Sequence, residues 1–80
     1  MKLQNALNKL NKLGLSVKQD GQFFTTRLNR YNLEFAKNGS SDDITCIRVL
    51  GINEKDDILQ DYCAGVFCDN LSQAIKLASN

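Results

Sequence analysis

Residues 15–36 read LSVKQDGQFFTTRLNRYNLEFA, and the fold turns on how this stretch is parsed. Leu15 and Val17 alternate with Ser16 and Lys18, a period of two that belongs to a strand. Asp20-Gly21 then supplies a dipeptide favoured in tight hairpin turns, and a second strand follows over Gln22–Leu28, rich in phenylalanine and threonine. Asn29-Arg30 is the next turn. Over Tyr31–Ala36, alternation sends Tyr31, Leu33 and Phe35 to one face and Asn32 and Glu34 to the other, which predicts a sheet with one wet face. The pattern is an antiparallel meander.

Upstream, the period changes to that of a helix. Leu3, Ala6, Leu7, Leu10 and Leu13 form one apolar stripe among asparagine, glutamine and lysine. Gly14 stops the helix: as a left-handed C′ residue it places Leu15 where it can touch Leu10, the contact of a Schellman ending.

Downstream, Lys37–Asp43 (KNGSSDD) is a polar loop, and Ile44–Leu50 is apolar and β-branched enough to be the most buried strand, closed by Gly51. A charged loop over residues 53–57 leads through Ile58–Asp61 to a last strand over Tyr62–Phe67. Asp69 or Asn70 caps a final helix, and Asn70 with Gln73 has the spacing of a capping box; Leu71, Ala74, Ile75 and Ala78 make its buried stripe. The expected architecture is α+β: an N-terminal helix, an antiparallel meander of four to five strands and a C-terminal helix, with both helices packed on one face. All 80 residues belong to one domain.

Composition narrows the function. With 42% hydrophobic and 24% charged residues the chain can build a core, and no apolar run approaches the length a bilayer demands, so a cytoplasmic location is expected. Net charge is +1 but unevenly spread. Residues 1–37 hold seven cations against two anions, a balance of +5, and residues 38–80 hold three against seven, a balance of −4. Such a dipole can steer a charged partner unless folding interleaves the halves.

Chemistry is harder to place. Histidine is absent, which removes the commonest general base, the usual partner of a nucleophilic cysteine and the commonest metal ligand. Cys46, Cys63 and Cys68 bring three thiols where a closed zinc site wants four donors; burial as small hydrophobes in strands accounts for all three. Asp42, Asp43, Glu54, Asp56, Asp57 and Asp61 do not have the spacing of a calcium loop, and acids decorating solvated turns are common. No glycine-rich run leads into a helix as a phosphate cradle does. No catalytic residue, cofactor or metal is expected.

A basic set exists. Lys2, Lys9 and Lys12 fall within an arc of roughly 80° on one flank of the first helix, by the 100° per residue of helix geometry. Arg27, Arg30 and Tyr31 could extend this patch along the hairpin, with Phe23 or Tyr31 stacking on bases. Lysines flanking an apolar stripe equally serve to cover it with their stems. The order helix, strands, helix is also that of the double-stranded-RNA-binding domain. There the second helix presents lysines to phosphate, whereas this one opens with Asp69 and Asn70, which repel an anion.

Residues 41–78, with the strand ITCIRV (44–49) and DYCAGVFCDN (61–70) running into a helix with SQAI (72–75), resemble small orphan proteins of bacteriophages and mobile elements, among them large polyvalent protein-associated domains. Anti-CRISPR proteins are similar in size and general architecture. The resemblance implies an inhibitor of a host defence complex, such as a CRISPR effector, acting by occlusion. Asp42, Asp43, Glu54, Asp56, Asp57 and Asp61 could then meet basic grooves of that partner. A nucleic-acid-binding module is the second expectation, and a homodimeric or larger structural protein joined through an edge strand is the third.

Overall fold

The computed structural model describes residues 1–52 and 65–79. Two helices, α1 (Leu3–Lys12) and α2 (Leu71–Ala78), flank five strands: β1 (Lys18–Asp20), β2 (Phe23–Leu28), β3 (Tyr31–Lys37), β4 (Ile44–Gly51) and β5 (Gly65–Phe67). The strands form one antiparallel sheet in sequential order, β1 and β5 at its edges and β3 in the middle. The expected α+β meander is thus the observed fold.

Gly14 ends α1 as its residue type demands. It adopts φ +79°, the Gly14 N–H donates to the Asn11 carbonyl (2.9 Å) and the Leu15 N–H to the Leu10 carbonyl (3.1 Å), the two bonds of a Schellman motif. The stripe reaches less far than its spacing suggests. Leu13 is the C-cap and half exposed, and Lys2 is the N-cap with extended backbone, outside the helix. At the other helix, the Asn70 side chain accepts from the Gln73 N–H (2.8 Å), and the Gln73 side chain accepts from the N–H of Asp69, one residue before the cap (2.8 Å).

The first hairpin is displaced from its sequence reading. Asp20 pairs with Phe23, so the two-residue loop is Gly21-Gln22, with the positive φ (+63°) on its first residue, and β1 begins only at Lys18. Leu15 and Val17 instead form an approach segment whose side chains pack against the core. The second loop falls where expected, on Asn29-Arg30, and Asn29 takes the positive φ (+57°). Its Nδ2 also donates to the Ala78 carbonyl (2.9 Å), tying this turn to the free end of α2.

The core lies between the sheet and both helices. Leu33, Phe35, Ile47 and Val49 meet Ala6 and Leu10 of α1 and Leu71, Ala74 and Ala78 of α2. Phe35, Leu10, Leu33 and Leu71 are fully buried, each contributing about 2–3 kcal/mol through removal of apolar surface from water. Cross-strand neighbours Phe24 and Phe35 stack with centroids 5.7 Å apart. Thr26, buried on the same face, donates its hydroxyl to the Ser16 carbonyl (2.8 Å), so this buried hydroxyl is satisfied.

Two expectations about burial are corrected. The most buried strand is β3, in which Asn32, Leu33, Phe35 and Ala36 are all buried, and not β4, whose first three residues stay partly or fully exposed. Nor is the face turned away from the helices uniformly wet: Asn32, Ala36 and Leu50 are buried on it. The β4 ladder carries a bulge in which Cys46 and Ile47 together oppose Phe35. Cys46 absorbs the extra residue at φ +52° and is exposed, which returns Ile47 to the core. The proposed Ile58–Asp61 segment and residues 62–64 of the last strand lie outside the described residues.

Candidate interaction surface

Among the acids, Asp42 and Asp43 sit in the loop that enters β4. Their backbone is joined to the N-terminal segment: the Leu3 N–H donates to the Asp42 carbonyl (2.6 Å), and the Ile44 N–H donates to the Met1 carbonyl (3.0 Å). The Asp43 carboxylate accepts from the Ser41 hydroxyl (3.3 Å) and lies 3.6 Å from Lys2 Nζ, while Asp42 lies 3.9 Å from Lys37 Nζ. Both ion pairs are well exposed and contribute under about 1 kcal/mol each. This geometry organises a loop. Glu54, Asp56, Asp57 and Asp61 lie outside the described residues.

The basic set is divided by the fold. Lys9 donates to the Ser72 hydroxyl (2.5 Å), bridging α1 to α2 on the helical side, and Lys12 is exposed in the last turn of α1. Lys2 stands at the opposite end of α1, paired with Asp43. Arg27 alternates onto the sheet face away from the helices and donates to the Asn29 carbonyl (3.4 Å); Arg30 is in the β2–β3 turn. Tyr31 is partly buried against the core, whereas Phe23, the other candidate ring, is exposed on β2. No single basic face results.

Cys46 is exposed at the bulge, which corrects its reading as a buried strand cysteine; Cys68 is partly buried beyond β5, and Cys63 lies outside the described residues. Burial, with the Asp69 carboxylate adding to it, pushes the Cys68 thiol above its ordinary value, so it stays protonated at neutral pH. Among the described residues no group of three or more cysteines and carboxylates converges as metal donors would. No helix there is long and apolar enough to cross a membrane.

On the face away from the helices, Arg48 holds Glu34 in two contacts, Nε at 2.9 Å and Nη2 at 2.7 Å from the same oxygen. Glu34 is only 14% exposed, so this pair is far better shielded than those in the loop. Beside it, the Asn32 Nδ2 is buried without a hydrogen-bond partner. A side chain at Gly65 would crowd Leu50 Cδ2 (3.1 Å) and Arg48 Cδ (3.3 Å).

Sequence reasoning missed the most distinctive surface, the β5 edge. Val66 is 54% and Phe67 69% exposed, and they share a shallow groove with Leu77 of α2, itself 36% exposed. Among the described residues the backbone of this strand is half used. The Cys68 N–H donates to the Ile47 carbonyl (2.8 Å), which makes that pair hydrogen-bonded; by alternation Val66 bonds to Val49, and Gly65 and Phe67 turn their N–H and C=O groups outward. The opposite edge, β1, is Lys18-Gln19-Asp20, wholly exposed and charged, the usual protection against unwanted pairing. A run of GVF ending in CD had no periodicity long enough to flag it. Comparison with models of protein families, with curated proteins and with solved structures finds no match.

Proposed function

We propose that this chain is a non-catalytic protein-binding module whose contact surface is the β5 edge and the adjoining exposed side of α2. The observation that carries the reading is the contrast between edges: one is guarded by charge, whereas the other presents Val66 and Phe67 beside Leu77 together with outward-facing amides. An exposed apolar edge with an unused hydrogen-bonding row is the receptor half of β-strand addition. The divided cations do not favour the nucleic-acid alternative. The more specific form of the reading, a phage or mobile-element inhibitor of a host defence complex in the cytoplasm, rests on the resemblance over residues 41–78.

The test is capture on the immobilised chain, comparing wild type with Phe67→Lys and with the paired charge reversals Asp42→Lys/Asp43→Lys. Phe67 is mostly exposed, so its replacement leaves the thermal transition nearly unchanged while removing the apolar contact. The expected result is a saturable protein partner retained by wild type, lost with Phe67→Lys and kept by the double variant. Equal retention by wild type and Phe67→Lys removes β5 from the interface. Turnover of a substrate by purified protein, abolished at Cys46 or an aspartate, would overturn the non-catalytic reading altogether.

A further inference from the structure

We infer that the β5 edge, read above as the binding surface, pairs antiparallel with β5 of a second copy about a two-fold axis at Val66, making a weak, continuous ten-stranded sheet. The register follows from the backbone. Gly65 and Phe67 face outward with both N–H and C=O, and only antiparallel pairing centred on Val66 sets Gly65 opposite Phe67 of the other copy twice over, so that both residues exchange both bonds. Side chains agree with it. Each Phe67 ring, on the face away from the helices, lies over the other copy's Gly65, a position with no side chain of its own; aromatic residues commonly cover edge glycines in this way. On the helical side the two Val66 side chains meet across the axis, near each copy's Leu77.

Magnitude sets the strength. Val66, Phe67 and Leu77 expose roughly 300 Å² in each copy, so the pair buries about half of the 1,200 Å² or more usual for a stable interface. An area this small belongs to weak, transient association, with monomer prevailing in dilute solution. A two-fold at the other edge, about Gln19, would set Lys18 against Asp20 in exposed ion pairs worth little, with no apolar area gained.

Sedimentation equilibrium over a concentration series is expected to show the mass rising above 9.0 kDa toward twice that value, with Val66→Lys, which sets two ammonium groups face to face, remaining monomeric throughout. An independent measurement fixes the register. In the full chain with Cys46, Cys63 and Cys68 changed to serine, Val66→Cys places two thiols in a non-hydrogen-bonded pair, where Cα atoms are about 4.5 Å apart, close enough for a disulfide. Under mild oxidation Val66→Cys is expected to form covalent dimer at least tenfold faster than Gln19→Cys on the guarded edge. Wild type that stays at 9.0 kDa at millimolar concentration, or equal cross-linking at the two edges, overturns the inference. If such a monomer still loses its captured partner with Phe67→Lys, the edge is a binding surface for another protein and only the second copy is wrong. If Val66→Lys abolishes dimer while Phe67→Lys leaves capture intact, β5 serves self-association alone.

Discussion

Alternate residues of the same strands build the two faces of this sheet, and the two faces are held by different physics. Under the helices, Leu33, Phe35, Ile47 and Val49 form an apolar layer in which Thr26 is, among the described residues, the single buried polar group and has its partner. On the other side, Asn32, Glu34 and Arg48 stand among Ala36 and Leu50, with one shielded ion pair satisfied and one buried amide left without a partner. The first face is stabilised by area removed from water, which is non-directional and tolerant of small shifts. The second depends on individual polar contacts, each of which is costly when it fails.

The largest effect that separates the faces is expected from Phe35→Ala. It removes a fully buried ring stacked on Phe24 and should cost about 3–5 kcal/mol, a large part of the stability of a domain this size, seen as a fall in the denaturant midpoint. Arg48→Ala probes the other side. Losing both contacts to the mostly buried Glu34 carboxylate should cost about 1–2 kcal/mol, and the double variant with Glu34→Gln should recover part of it, since the penalty is largely that of a stranded charge. If the double variant is as unstable as the sum of its parts, the pair contributes through packing instead. The smallest effect has the opposite sign: Asn32→Leu deletes the unpartnered amide and should stabilise by about 1 kcal/mol, raising the thermal midpoint by roughly 4–8 °C. A loss of stability there would mean that the far face needs its polarity.

Much of the fold was legible because its signals are local. The stripe from Leu3 to Leu10, Gly14, Asn29-Arg30 and the Asn70/Gln73 cap are local signals, and each is where the sequence places it. The errors have a common source. Leu15 and Val17 alternate as a strand does, yet the sheet begins at Lys18, because apolar alternation records which side chains are buried and not which backbone groups are paired. The Cys46 bulge was equally hidden: Thr45, Cys46 and Ile47 read as continuous strand, and only the need to return Ile47 to the core forces the extra residue. The candidate site was the least legible. Acids and lysines were singled out by charge, whereas the surface that stands out is a three-residue strand end made of glycine, valine and phenylalanine.

By itself the sequence determined the element types, the caps, the meander and the apolar side of each helix, because periodicity and turn chemistry are properties of neighbouring residues. Only the tertiary structure decided that β3 is buried more deeply than β4, that Asn32 and Leu50 are buried opposite the helices, and that Val66 and Phe67 remain exposed beside Leu77. Exposure at a sheet edge depends on which strand lies next to it, and strand order joins residues far apart along the chain; valine and phenylalanine carry the same local preference whether a neighbour covers them or not.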